Sequence, residues 1–129
     1  KAPAVPQTDA ADWDDIPAPE LRAAVLFAPF AMLFSQDALA KVSIPIRLYR
    51  AMNDTVTKNA DNADAVLAQV SGTTDVVDIP GGHYGFIATV DETIAAKYPV
   101  FYKDEPGIDR CNIHATIAGE VVKFFDMNL

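Results

Sequence analysis

The chain has 129 residues, of which 50% are hydrophobic, and a formal net charge of −8 at pH 7. This length and composition predict one globular domain with a single core, or part of a larger one, and exclude a disordered chain. The acidic balance argues against nucleic acid or an anionic membrane as a partner. The single cysteine, Cys111, excludes an internal disulfide and a multi-cysteine metal site. The longest apolar run, residues 23–34, is interrupted by Pro29 and is too short to span a bilayer.

Strands and helices are predicted to alternate after an irregular start. Residues 1–20 hold four of the nine prolines and show little periodicity, which predicts a lead-in or linker. Because the chain opens at Lys1 without a signal-peptide pattern, we expect a processed or truncated product. Apolar runs predict strands over residues 21–28, 44–51 and 74–79. Helical spacing predicts helices over residues 35–42, 59–70 and 112–128. The alternation predicts an α/β fold over residues 21–129, with three parallel strands and flanking helices.

The loops after the predicted strands carry the residues best suited to chemistry. Parallel sheets place their sites in the loops beyond the carboxyl ends of the strands. The loop after the second strand contains Asp54 in "MNDTVT", and the loop after the third contains His83 in "PGGHYGF". We therefore expect the Asp54 carboxylate to lie within hydrogen-bond reach of His83 Nδ1. A carboxylate in that position fixes the imidazole tautomer, so the pair forms the orienting and basic members of a nucleophilic triad.

A nucleophile for this pair is missing from the sequence. Hydrolases built on a parallel sheet place a serine in a G-x-S-x-G elbow before the acid and the histidine. None of the serines Ser35, Ser43 and Ser71 is bracketed by glycines, and Cys111 follows the histidine. Cys111 is instead expected to be a small buried hydrophobic residue. The two histidines, His83 and His114, show no metal-ligand spacing, so neither a metal nor another cofactor is expected.

Four stretches, taken in order, resemble the C-terminal half of an α/β-hydrolase of the dienelactone hydrolase family. They are "LFAP", "KVSIPIRLYRAMNDTVT", "VDIPGGHYGFI" and "YPVFYKDEPGIDRCNIHATIAGEVVKFF". The resemblance covers about residues 21–128 and implies a serine hydrolase that cleaves a carboxylic ester or lactone through an acyl-enzyme. It implies that Asp54 is the triad acid and that His83 is the triad base. A soluble protein of the bacterial cytoplasm or periplasm is expected, and the sequence does not decide the compartment.

The half of such a hydrolase that supplies the nucleophile elbow, the oxyanion hole and the first strands has no counterpart in these 129 residues. We therefore expect the chain to require an N-terminal half as its partner, from the same gene or from a second chain, and to be inactive alone. The apolar first strand would otherwise leave an exposed sheet edge. Two alternatives remain. One is a non-catalytic α/β-hydrolase-like domain for binding or assembly, and the other is a prolyl-oligopeptidase-like peptidase, which "DEPGIDR" disfavours by resemblance.

Several residues near the predicted site have two interpretations. The apolar residues that follow the first strand are predicted to be core residues or, alternatively, part of an acyl pocket. They are Phe30, Met32, Leu33 and Phe34, and the pocket assignment is made for Phe30, Met32 and Phe34. Tyr84, next to the predicted base, is assigned to the same substrate pocket, with ordinary core packing as its alternative. His114 is expected to be a structural or surface residue of the last helix.

Overall fold

The computed structural model describes residues 20–129. The predicted lead-in over residues 1–20 therefore lies outside the described residues, apart from Glu20. The strands are β1 (Ala24–Phe27), β2 (Ile46–Ala51) and β3 (Thr74–Ile79). The α-helices are α1 (Gln36–Ala40), α2 (Ala63–Gln69), α3 (Glu92–Lys97), α4 (Pro99–Tyr102) and α5 (Arg110–Asn128). Two short 3-10 turns cover Asn59–Asp61 and His83–Phe86.

The three strands form one parallel sheet in the order β1-β2-β3, with helices between them, which confirms the predicted α/β class. Strand β2 lies in the centre, where Ile46 pairs with Ala24 on one side and with Thr74 on the other. The strand begins directly after Pro45, because proline has no backbone N–H to donate to the ladder. Strand β1 is shorter than the predicted run of residues 21–28.

The core lies between the sheet and helix α2, and α1 contributes no buried residue to it. Strand β2 is the most deeply buried strand, with only Arg47 and Arg50 half-buried, and Leu48 at its centre has no exposed surface. Ala63 and Val66 lie three residues apart on α2, so they share one helical face and pack against Ile46 and Leu48. The helix predicted over residues 59–70 is confirmed over Ala63–Gln69, and its first predicted residues form the 3-10 turn Asn59–Asp61.

Helix α5 covers the other side of the sheet and is tied to β2 by polar contacts. Asp109 caps the helix, because its carboxylate accepts a hydrogen bond from Asn112 N–H at 3.0 Å. Eleven residues after Asp109, Glu120 Oε2 accepts from Arg47 Nη2 at 2.7 Å and from the Tyr49 hydroxyl at 3.0 Å. These contacts fix the position of α5 relative to the central strand.

Two short helices, α3 and α4, were not predicted. Both helices begin with residues that favour a helix start. Asp91 caps α3 by accepting hydrogen bonds from Thr93 N–H and Ile94 N–H, and Pro99 occupies the first turn of α4. Helices of six and four residues are too short to produce a clear apolar period. The predicted burial of Cys111 is wrong, because its side chain is exposed in the first turn of α5. Within residues 20–129, no helix is long and apolar enough to cross a membrane.

Candidate active site

The site lies at the carboxyl ends of β2 and β3. These strands are paired to their last residues, where Ala51 lies opposite Ile79, so their following loops leave the sheet side by side. Met52 N–H donates to Ile79 O at 2.9 Å, and Asn53 N–H donates to Gly81 O at 3.0 Å. Gly81 has a φ of 101°, a left-handed conformation that glycine adopts without a steric penalty. The two loops are therefore joined by backbone hydrogen bonds before either catalytic candidate is reached.

Asp54 and His83 are in direct contact. His83 Nδ1 lies 2.9 Å from Asp54 Oδ2, within the hydrogen-bond reach expected from the sequence. None of the Asp54 side chain is exposed, whereas 24% of the His83 side chain is. His83 begins the short helical turn His83–Phe86, which directs its ring back over the loop after β2. The contact is confirmed, and its catalytic role stays a prediction.

The Asp54 carboxylate receives four donors. Oδ1 accepts from the backbone N–H of Val56 at 2.9 Å and of Thr57 at 2.8 Å. Oδ2 accepts from the Thr57 hydroxyl at 2.9 Å and from His83 Nδ1. A carboxylate offers about four lone-pair positions, so this buried group is fully satisfied. Burial would raise the pKa of Asp54, but these hydrogen bonds outweigh it and hold that pKa below its ordinary value. Asp54 is therefore an ionised acceptor at neutral pH.

His83 lines an open cleft of about 470 Å³. Its ring packs edge to face on Tyr84 at 5.1 Å, and Tyr84 packs edge to face on Phe101 at 4.8 Å. Val56 and Lys103 also line this cleft. Within residues 20–129, His83 Nε2 forms no hydrogen bond, so this nitrogen is available to a group that enters the cleft. Tyr84 also lines this cleft, and its assignment to a substrate pocket stays a prediction.

The apolar residues after β1 lie elsewhere. Phe30, Met32, Leu33 and Phe34 are exposed over 49%, 66%, 77% and 59% of their surface, so their prediction as core residues is wrong. None of them lines the cleft beside His83. An apolar run before a helix resembles a core segment in sequence, but no element within residues 20–129 buries these side chains. The acyl-pocket assignment of Phe30, Met32 and Phe34 stays a prediction.

None of the three serines, nor the cysteine, hydrogen-bonds to His83 within the described part of the chain. Ser35 caps α1 by accepting from Ala38 N–H, and Ser71 donates its hydroxyl to Val42 O at 3.1 Å. Cys111 lines a second cavity of about 370 Å³ that contains neither Asp54 nor His83. Residues 20–129 also contain no cluster of three or more His, Cys, Asp or Glu side chains that could hold a metal ion.

Two residues contact the site that the sequence interpretation did not place there. Thr57 contacts both Asp54 and His83. The one feature of the sequence that could have indicated this role is its position three residues after Asp54. His114, expected to be structural or on the surface, is half-buried, and its Nε2 lies 2.8 Å from Gly85 O. It thus links α5 to the turn that begins with His83. Its contact is with the backbone of that turn and not with the Asp54–His83 pair.

Comparison with known proteins gave no relative. No protein-family model, no curated protein and no solved structure matches this chain. The relationship to dienelactone hydrolases therefore stays a prediction from sequence. Any functional conclusion depends on the geometry at the ends of β2 and β3.

Proposed function

We propose that this chain provides the acid and the base of a serine hydrolase that cleaves a carboxylic ester or lactone through an acyl-enzyme. The observation that supports the proposal most strongly is the contact between Asp54 and His83. The acid is buried, ionised and fully hydrogen-bonded, and the base lines a cleft with its second nitrogen free of partners in residues 20–129. This is the arrangement that nucleophilic catalysis requires of its orienting and basic groups. The resemblance to dienelactone hydrolases agrees with it.

In the proposed mechanism, Asp54 accepts the Nδ1–H of His83, which leaves the lone pair on Nε2. Nε2 removes the proton of a serine hydroxyl while the serine oxygen attacks the carbonyl carbon of the substrate. The resulting imidazolium is stabilised by Asp54 and returns the proton to the leaving alkoxide oxygen, which leaves an acyl-enzyme. A water molecule then repeats the same proton transfers and releases the acid. Each proton leaves and re-enters through Nε2, so neither Asp54 nor His83 is consumed.

The serine must come from polypeptide outside residues 20–129, and β1 offers a place where it can join the sheet. We propose an N-terminal half, from the same gene or a second chain, that pairs along β1. Among the described residues β1 has a strand neighbour only on the β2 side, and Phe27 at its end is 44% exposed. An apolar edge strand of this kind is prone to pair with another strand. The apolar residues that follow β1 in the chain are exposed as well, namely Phe30, Met32, Leu33 and Phe34.

The main alternative is a non-catalytic α/β domain used for binding or assembly. It is favoured by one observation, the lack of a serine or cysteine partner for His83 within residues 20–129. This alternative explains neither the free Nε2 in a cleft nor the four donors on Asp54, although structural ion pairs also form such networks. The prolyl-peptidase alternative has no supporting contact in the described part of the chain.

The test uses the protein expressed from the complete reading frame that contains this sequence. We expect it to hydrolyse p-nitrophenyl acetate or a simple lactone, with little action on a prolyl-peptide anilide. His83→Ala should reduce ester turnover by roughly 10³-fold or more, since triad members act as a unit. Asp126→Asn, an exposed carboxylate near the end of α5, serves as the control and should leave turnover unchanged. A folded protein without ester or lactone hydrolysis, or with hydrolysis that survives His83→Ala, would support the binding domain instead.

A further inference from the structure

Thr57 forms a triangle with the acid and the base. Its hydroxyl oxygen lies 2.9 Å from Asp54 Oδ2 and 3.1 Å from His83 Nδ1, which are themselves 2.9 Å apart. Thr57 is 8% exposed, so water does not compete freely for its hydroxyl. The third neighbour of this hydroxyl, Ala28 O, is 3.4 Å away, which is long for a hydroxyl donor. The hydroxyl is thus enclosed by groups of the site.

The protons in this triangle can be assigned by counting donors and acceptors. The Thr57 hydroxyl has one proton, and the ionised Asp54 carboxylate can only accept. Since Oδ1 already receives two backbone N–H groups, the hydroxyl donates to Oδ2. The lone pairs of Thr57 Oγ1 then face His83 Nδ1. Two acceptors, Oδ2 and Oγ1, therefore converge on Nδ1, and only a protonated Nδ1 satisfies them.

We propose that Thr57 is a positioning residue that, together with Asp54, holds His83 in the Nδ1–H tautomer. This inference rests on the proposed function, because the Nδ1–H tautomer is the one that leaves Nε2 free to act as a base. Asp54 alone can pair with Nδ1, but its carboxylate would lack one of its four donors. The hydroxyl fills that position and also presents a second acceptor to the same N–H. A chain without the hydroxyl loses both effects at once.

The experiment compares Thr57→Val, which keeps the shape and removes the hydroxyl, with Thr57→Ser, which keeps the hydroxyl. Imidazole ¹⁵N chemical shifts of His83 in the protein expressed from the complete reading frame report the tautomer at about pH 8.5, where histidine is ordinarily neutral. The parent and Thr57→Ser should show only the Nδ1–H tautomer, and Thr57→Val should show a mixture with the Nε2–H form. The ¹³C titration midpoint of the Asp54 carboxyl should also move upward in Thr57→Val, because the charged form loses a donor.

Thr74→Val is the matched control. The Thr74 hydroxyl is buried on β3 without a hydrogen-bond partner among the described residues, so its removal should leave the His83 spectrum unchanged. The proposal is overturned if Thr57→Val keeps the pure Nδ1–H tautomer, or if Thr74→Val produces the same mixture. Should Thr57→Val not fold, Thr57→Ser decides. A mixed tautomer in Thr57→Ser contradicts the role of the hydroxyl, and a pure Nδ1–H form supports it.

These spectra do not depend on turnover, so they separate this inference from the proposed function. A Thr57-dependent tautomer in a protein that hydrolyses no ester would leave the positioning role intact and refute the hydrolase. Ester hydrolysis that requires His83, together with a His83 tautomer that does not change in Thr57→Val, would support the hydrolase and refute the positioning role of Thr57. The two claims therefore fail on different measurements.

Discussion

The loop after β1, here called the apolar region, and the loops after β2 and β3, here called the polar region, leave the same edge of the sheet. The two regions differ in which side chains they bury. In the loops that follow β2 and β3, polar side chains are buried, and the Asp54 carboxylate accepts four hydrogen bonds. In the loop that follows β1, the side chains are apolar and exposed, namely Phe30, Met32, Leu33 and Phe34. Buried polar groups are costly unless hydrogen-bonded, and contiguous exposed apolar groups mark contact surfaces. The Asp54 carboxylate is fully hydrogen-bonded within residues 20–129, whereas the exposed apolar side chains after β1 are suited to contact with a further surface.

The largest effect is expected from changes to the polar region. In the protein expressed from the complete reading frame, Asp54→Asn should reduce ester turnover on the order of 10⁴-fold, because an amide stabilises the wrong imidazole tautomer. It should reduce kcat far more than it raises KM, since Asp54 does not line the cleft. Steady-state hydrolysis of p-nitrophenyl acetate measures both constants. Turnover within a few-fold of the parent would remove Asp54 from the mechanism.

The next effect concerns the apolar region. The double substitution Phe30→Ser and Phe34→Ser should weaken association through this surface by about 10-fold or more for each phenylalanine, because burying such a side chain contributes roughly 1.5–3 kcal/mol. Sedimentation of the 129-residue chain measures self-association through the uncovered surface, and the variant should sediment as a smaller species. Met127→Ser provides the control, since Met127 is 75% exposed near the end of α5. Equal association of parent and double variant would show that this surface is not a contact site.

The pH dependence of stability tests whether Asp54 is ionised in the folded chain. Its pKa lies below the ordinary value of 3.8, because hydrogen bonds from His83, Thr57 and Val56 outweigh the opposing effect of burial. Its stabilisation is therefore fully present above the unfolded pKa and is lost as pH falls through the lower folded pKa. Asp54→Asn should destabilise the chain by about 1–3 kcal/mol at neutral pH. Urea unfolding at several pH values should show this difference shrinking below about pH 4. A difference that stays constant into acid would contradict an ionised Asp54.

The smallest effect is expected at His114, which supports the His83 turn from outside. His114→Ala removes the donor to Gly85 O and should destabilise the chain by about 1 kcal/mol. Ester turnover should fall by less than about 10-fold, because the Asp54–His83 contact does not involve His114. His114→Gln keeps an N–H donor on a side chain of similar reach and should recover part of the loss. A loss of turnover as large as that of His83→Ala would show that the wrong histidine has been assigned.

Much of the polar region could be predicted from sequence because it follows from general rules. Apolar runs located β2 and β3, and parallel pairing brings their following loops together, so Asp54 and His83 were expected to meet. Thr57 could not be recognised in the same way, since the partner of a hydroxyl depends on how the two loops close. Thr57 reaches Nδ1 only because the Gly81 turn brings His83 back over the loop after β2.

The apolar region was the part that sequence patterns described wrongly. Hydrophobicity shows that residues such as Phe30 and Phe34 are suited to burial, but not whether this part of the chain covers them. The prediction that Cys111 is buried was wrong for a related reason. Cysteine is often buried, but at this position in the first turn of α5 its side chain is exposed to solvent. Both errors concern packing against elements that a one-dimensional pattern does not specify.

The most direct test of the central claim is active-site labelling of the protein expressed from the complete reading frame. A fluorophosphonate reacts with a serine only when a neighbouring base activates its hydroxyl. We predict one labelled serine outside residues 20–129, and loss of that label in His83→Ala with the fold retained. Labelling within residues 20–129, or labelling that persists without His83, would contradict the assignment of Asp54 and His83 as the acid and base of a serine hydrolase.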